Sequence, residues 1–161
     1  MDRAEFAVSQ WAKERPDLDL LPMAVLARLG IAARTVAKDH LEPLFARFGL
    51  GRGEFDVLAT LRRAGKPYAL SPTGLYEATM VTSGTMTSRL DRLERAALIR
   101  RESDPSDRRG TIVVLTEKGF AVIDEAVGAH VENETKVLAG LSRAEQKQLN
   151  ELLAKLLASL G

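Results

Sequence analysis

Four hydroxyl side chains crowd one short stretch of this sequence: Ser83, Thr85, Thr87 and Ser88 all lie within SGTMTSRLDRL. Short hydroxyls donate and accept hydrogen bonds at close range, which suits base edges and phosphate oxygens. Arg92 follows, placed to reach a backbone phosphate. Arg108 and Arg109 stand in the polar run DPSDRRG, at a spacing suited to a narrow minor groove. Asp107 is placed to hold one of these arginines by a charge-assisted hydrogen bond. Arg89 does not fit the pattern. At about 100° per residue it falls roughly 60° from the centre of the apolar stripe Met86, Leu90, Leu93, an awkward place for a phosphate contact. Gly84, Ser88, Asp91 and Arg95 are the cleanly solvent-facing positions.

Other chemistries are poorly supplied. The 161 residues include no cysteine, which removes disulfides, thiolate catalysis and Cys-based zinc sites. The two histidines, His40 and His130, are far apart and have no nearby ligand pattern, so no metal or cofactor is expected. No nucleophile–base pair or phosphate-cradling glycine loop is visible, so the chain does not read as an enzyme. There is no apolar run of about 18 residues, and the chain starts Met-Asp-Arg-Ala-Glu. The expectation is a cytoplasmic protein with no signal peptide and no membrane partner. Hydrophobic residues make up 45% and charged residues 28%, which is a globular rather than a disordered balance. The net charge of +1 argues nothing about partners, but its distribution does. Lys and Arg outnumber Asp and Glu by 15 to 10 over residues 21–110, and are outnumbered 3 to 5 over 1–20 and 4 to 6 over 121–161.

The elements that must position these residues follow from periodicity and caps. Ala4, Val8, Trp11 and Ala12 predict an amphipathic helix over 2–14, ended by Pro16. Leu21-Pro22 opens a second helix whose apolar stripe continues to about Phe48, with a kink expected at Pro43. Phe55, Leu58 and Leu61 mark a helix over 54–64, closed at Gly65-Lys66-Pro67. Ser71 caps a short helix over 71–78 with Pro72 at its first position. Thr82 or Ser83 caps the next, which runs to about Ala97. Residues 98–115 read as a β-hairpin with a long basic tip. Thr116 caps a helix into Gly140, and Ser142 with Glu145 forms a capping box for the last. That last helix carries a dense leucine stripe: Leu149, Leu152, Leu153, Leu156, Leu157 and Leu160.

Helix, short helix, longer helix and hairpin, in this order, predict a winged helix-turn-helix over 51–115. The fold class is mostly α with a small β-hairpin wing. An arm helix lies at 1–20, and dimerisation helices at 21–50 and 116–161 make a homodimer interface from both ends of the chain. In a winged helix-turn-helix the second paired helix enters the major groove with its N-terminal residues first. Double-stranded DNA is therefore the expected partner. Ser71 and Thr73, Ser83, Thr85, Thr87, Ser88 and Arg92, and Arg108 and Arg109 are the DNA-binding candidates. A winged helix serving only as a protein-interaction module is the alternative.

DPSDRRGTIVVLTEKG resembles the wing signature of MarR-type transcription regulators, an Asp-x-Arg followed by Leu-Thr-x-x-Gly: Asp107, Arg109, Leu115, Thr116 and Gly119. SGTMTSRLDRLERAALIRRES resembles that family's recognition helix and first wing strand, and the likeness extends over nearly the whole chain. It implies a homodimer on a pseudo-palindromic operator, with half-sites about one helical turn apart. The family generally represses genes and leaves DNA when a small molecule binds. One departure stands out: many members place glycine near Ala97. A left-handed Ala97 there costs on the order of 1 kcal/mol.

The N-terminal arm, with its Trp followed by ERPDLD and PMAVLARL, resembles the urate-responsive branch of that family, the PecS-like and HucR-like regulators. That branch carries a Trp on the added helix, an Asp before the helix-turn-helix, an Arg on the recognition helix and an Arg on the first wing strand. The matching residues are Trp11, Asp56 in GEFDVLATL, Arg89 in MTSRLDRL and Arg101 in LIRRES. Arg100 adjoins Arg101, and the choice between them rests on a gap-free alignment from Asp56 onward. The resemblance implies a ligand site for a small anionic effector, with two guanidiniums to fork-bind it and an indole wall. Asp56 would pair with an arginine until the anion displaces it. A citrate- or aconitate-responsive sub-branch looks similar, which leaves urate, a small carboxylate or another small aromatic ligand as the effector.

Overall fold

The computed structural model describes residues 1–79, 83–105 and 110–161, with Ser83 and Gly84 through their backbone alone. The chain forms two compact units, Met1–Leu41 and Glu42–Gly161.

In the first unit, helix α1 spans Arg3–Glu14 and helix α2 Leu21–Thr35. Asp2 caps α1 by accepting from the Glu5 N–H at 2.7 Å. Its other carboxylate oxygen accepts from Arg28 of α2 at 2.9 Å, so one side chain both caps a helix and anchors its neighbour. Ala4 and Ala24 are buried, while Phe6, Trp11, Leu21, Val25 and Leu26 stay exposed. The single helix expected from Leu21 to about Phe48 instead comes in three pieces. After α2 comes a π-helical stretch, Val36–Leu41, and then a short helix α3, Glu42–Arg47. Proline lacks an N–H and crowds the carbonyl four residues back. A π turn, bonded to the fifth residue instead, relieves that crowding.

The second unit continues with α4 (Arg52–Arg63), β1 (Ala69–Leu70), α5 (Pro72–Thr79), α6 (Ser83–Arg95), β2 (Ile99–Ser103), β3 (Thr111–Leu115), α7 (Glu117–Val137) and α8 (Arg143–Ser159). Val57, Leu58 and Leu61 of α4 are fully buried, as are Leu75, Leu93, Ile99, Val113 and Ile123. Each such side chain contributes roughly 1.5–3 kcal/mol by leaving water, and together they fix α4 as the element on which the others pack. The hairpin pairs Ile99 with Leu115 and Ser103 with Thr111. A third strand that periodicity does not reveal lies on its other side: Ala69 and Leu70 pair with Val114 and Val113, giving the order β1-β3-β2. Two residues are too few to show alternation; only the partner strand defines them.

The caps follow the sequence closely. Ser71 Oγ accepts from Gly74 N–H at 3.0 Å. Thr116 Oγ1 accepts from Gly119 N–H at 2.9 Å, and Ser142 with Glu145 completes the capping box of α8. Helix α6 stops at Arg95 rather than Ala97, and Ala97 takes φ +58°. The Leu98 N–H reaches Leu93 O at 3.0 Å and the Ala97 N–H reaches Glu94 O at 2.9 Å. This is a Schellman stop with alanine in the left-handed position that glycine usually fills. The turn is held from outside, since the Thr116 hydroxyl donates within reach of both Ala97 O and Leu98 O, at 2.8 and 3.0 Å. Gly119 lets α7 pass directly beneath this turn. A Cβ there would sit 2.8 Å from the Leu98 carbonyl carbon and closer still to its oxygen.

Helix α8 buries no residue; Leu149, Leu152 and Leu157 and its C-cap Leu160 are all exposed, as are Val131 of α7 and Leu138, the C-cap of α7.

Candidate functional site

The hydroxyl-rich end of α6 divides as its periodicity predicts. Met86, Leu90 and Leu93 are buried at 3%, 3% and 1% exposure, while Thr85, Thr87 and Ser88 are exposed. Ser88 Oγ donates to Thr85 O at 3.1 Å. On α5, Thr73 is exposed, and the Ser71 hydroxyl is occupied as the helix cap. Arg92 projects from α6 onto α4 and forms an ion pair with Glu54, whose side chain is largely buried. Thr82, the Ser83 side chain, Asp107, Arg108 and Arg109 lie outside the described residues.

Arg89 does not point the way of the hydroxyls. Its guanidinium lies over the first turn of α4, against Gly53. A Cβ built on Gly53 would meet three guanidinium atoms, Nη2 at 2.7 Å and Nε and Cζ nearer still. The Arg89 Nη1 atom is buried, and among the described residues it has no hydrogen-bond partner. One turn further along α4 stands Asp56. Its own helix periodicity assigns it to solvent, yet it is half-buried, because α7 and the end of α5 wall the space in front of it. Burial pushes its carboxyl above the usual aspartate range, against the opposing pull of Arg52, Arg89, Arg63 and His130. Asp56 and Arg89 thus share one electrostatic neighbourhood, two elements joined through the start of α4.

Arg101 is engaged elsewhere. Its Nη1 pairs with Glu94 at 2.6 Å and its Nη2 with Asp91 at 2.7 Å, while its N–H donates to the same Glu94 at 3.1 Å. These carboxylates hold the guanidinium firmly protonated, Asp91 foremost. Asp91 is two residues from Arg89, about 200° round the helix. Arg101 therefore ties the first wing strand to one side of α6 while Arg89 leaves from another. Arg100 pairs with Glu102 of its own strand. Trp11 belongs to the first unit, on α1, 48% exposed.

The cleft in front of Asp56 has a volume of about 670 Å³ and is lined by Asp56, Thr60 and Arg63 of α4, Thr79 of α5, and Asp124 and His130 of α7, among others. That lies within the roughly 300–1,000 Å³ of small-molecule sites. The sequence reading missed all of these but Asp56. The α4 members were legible, since positions 56, 60 and 63 share one helical face. The α7 wall was not, because nothing local indicates which helix packs there. Phe45 stacks on Phe55 at 4.1 Å and His130 meets Phe55 edge-on at 5.0 Å, which fixes α7 against α4. His130 Nε2 lies 3.2 Å from Glu134. Among the described residues, no cluster of His, Asp and Glu is arranged to hold a metal, and no helix is long and apolar enough to cross a membrane.

Known proteins share this fold. Residues 48–110 match the MarR family model. The chain is 45% identical to the HTH-type transcriptional regulator PecS of Dickeya dadantii over 148 residues, 92% of this chain and 89% of PecS. Its fold matches the MarR family regulator Sco3205 of Streptomyces coelicolor, solved in complex with DNA, at a TM-score of 0.75 and 26% identity, over 89% of this chain and 94% of that one. Bordetella bronchiseptica BpsR, whose structure concerns regulation of DNA binding by 6-hydroxynicotinic acid, matches at a TM-score of 0.65 and 28% identity, over 80% of this chain and 98% of BpsR. The proteins it resembles are regulators rather than enzymes. A winged helix-turn-helix with exposed hydroxyls on its reading helix, matched along nearly its full length by PecS, places this chain in the MarR family of DNA-binding transcriptional regulators.

Proposed function

We propose that the chain is a cytoplasmic, homodimeric repressor that binds a pseudo-palindromic operator and is released by a small anion of the urate type. The observation that carries this reading is the seat of Arg89: a guanidinium on the DNA-reading helix is turned onto α4, beside a half-buried Asp56. An anion entering there competes with Asp56 for the arginines. Its differential affinity for the two arrangements then shifts α6 away from the DNA-bound state. The resemblance also names Trp11 and Arg101 as effector residues. Resemblance to the urate-responsive branch supports a urate-type ligand, and the 6-hydroxynicotinic acid named for BpsR supports the chemical class.

In the DNA-bound state Ser83, Thr85, Thr87 and Ser88 face the major groove, with Ser71, Thr73 and Arg92 toward phosphate and Arg108 and Arg109 in the minor groove. Arg92 exchanges Glu54 for phosphate on docking. Dimerisation is supported by the exposed leucines of α8 and the exposed apolar residues of α1 and α2, which a second copy covers.

A gel shift on the DNA upstream of the gene tests this, run with and without urate, xanthine and citrate. Retardation reversed by urate is the expected result, with Arg89→Ala blunting the reversal and Arg108→Ala weakening retardation itself. Retardation indifferent to urate removes the effector assignment, and reversal by citrate alone reassigns it to a carboxylate.

A further inference from the structure

Resting on the reading of a regulator released by a urate-type anion, we propose that Arg63 is a further arginine for that anion, within the 670 Å³ cleft, that the ring N–H groups of the ligand go to the acceptors lining the cleft, and that occupancy frees the end of α5.

The two arginines lining the cleft differ in how they are held. Arg62 is committed: it pairs with Asp124 at 2.8 Å and its guanidinium lies over the Phe120 ring at 4.5 Å. Arg63 is held by one neutral contact, a 3.2 Å hydrogen bond from Nη2 to the carbonyl of Ala78, and among the described residues no ion pair holds it. A carbonyl is a weaker partner for a guanidinium than a carboxylate or other anion, so an anionic ligand wins Arg63 from Ala78.

The remaining polar groups are matched to a ligand with hydrogens to give. Thr60 spends its hydroxyl hydrogen on Asp56 O at 2.7 Å, and Thr79 spends its own on Leu75 O at 2.6 Å. Both oxygens are thereby left with lone pairs only, and the Asp56 carboxylate adds further acceptors. Citrate at neutral pH offers carboxylates and one hydroxyl, so it meets one loosely held cation and a row of acceptors. A heteroaromatic monoanion gives its charge to Arg63 and its ring N–H groups to Thr60, Thr79 and Asp56. His130 lines the same cavity.

The contact that the ligand replaces lies at the C-terminal end of α5, the helix that precedes the reading helix in the chain. Losing the Arg63–Ala78 bond leaves that carbonyl to water. Binding is thereby linked to the segment from which α6 is launched, independently of Arg89.

The test is calorimetry on the full chain without DNA, using urate, citrate and the neutral purine hypoxanthine as probes. The wild type is expected to bind urate more tightly than either of the others. Arg63→Ala is expected to weaken urate by about tenfold or more and Arg63→Lys by less, as lysine keeps the charge but loses the fork. Because Arg63 is exposed, circular dichroism of both variants should match the wild type. Hydrogen exchange across residues 72–79 is expected to speed up when urate saturates the wild type. Unchanged urate affinity in Arg63→Ala, with urate still releasing DNA, overturns the role of Arg63 and leaves the regulator reading intact. Tighter binding of citrate than of urate overturns the ligand class. A wild type that binds none of the three overturns the effector reading and this inference together.

Discussion

The guanidinium of Arg89 fills the space that a side chain at position 53 would need. Gly53 is therefore a seat rather than a hinge: it lets a charged group from the reading helix lie flat on the first turn of α4. Glu54, the next residue, takes Arg92 from the same helix, so two consecutive positions of α4 receive two arginines of α6.

A double-mutant cycle measures that seat. Gly53→Ala alone is expected to destabilise the fold and to blunt ligand-driven DNA release, because it evicts Arg89. In an Arg89→Ala background the same substitution removes no contact and gains helix propensity, a few tenths to about 1 kcal/mol. Opposite signs in the two backgrounds, read by urea denaturation, are the expected result. Equal effects would show that the two residues do not meet.

Asp56 makes stability depend on pH in a defined direction. In the unfolded chain an aspartate titrates near about 3.9, and burial raises it in the fold. The ionised carboxylate thus costs the native state stability, a cost that is absent below about pH 4 and complete once the pH has risen past the folded value. Asp56→Asn is expected to melt higher than the wild type at pH 7 and to lose that advantage as the pH falls toward 4. An advantage equal at both pH values would sink the burial argument.

Ala97 sits at φ +58° in the turn after α6. Ala97→Gly relieves that conformation and is expected to stabilise the chain by about 1 kcal/mol, a rise in melting temperature of about 2–4 °C for a domain of this size. A lower melting temperature would mean that the Thr116 and Schellman hydrogen bonds leave no strain to relieve.

The leucines of α8 are open to test by charge. Leu152→Lys with Leu157→Lys alters two exposed positions and leaves the buried core alone. Sedimentation is expected to move from dimer to monomer with helicity kept and operator affinity lost. A dimer that survives both lysines places the self-association surface elsewhere.

Much of this protein is legible without coordinates. Helix order, the Ser71, Thr116 and Ser142 caps and the off-stripe placing of Arg89 all follow from interactions within a few residues of chain, where sequence spacing and spatial spacing coincide; the left-handed cost at Ala97 followed from the family resemblance. The strand Ala69–Leu70 and the π turn before Pro43 were hidden. One is defined only by its partner across the sheet, and the other is a choice among ways to relieve a clash. The site shows the same division. That Arg89 stands beside the apolar stripe of its helix could be read from the sequence, and Asp56 and Arg101 were singled out by the family resemblance. Which carboxylates Arg101 prefers, that Gly53 is a cradle, and that Arg63 and His130 border the same cavity as Asp56 depend on how α4, α6 and α7 cross. Packing of the whole apolar surface sets those crossings, and no local pattern encodes them.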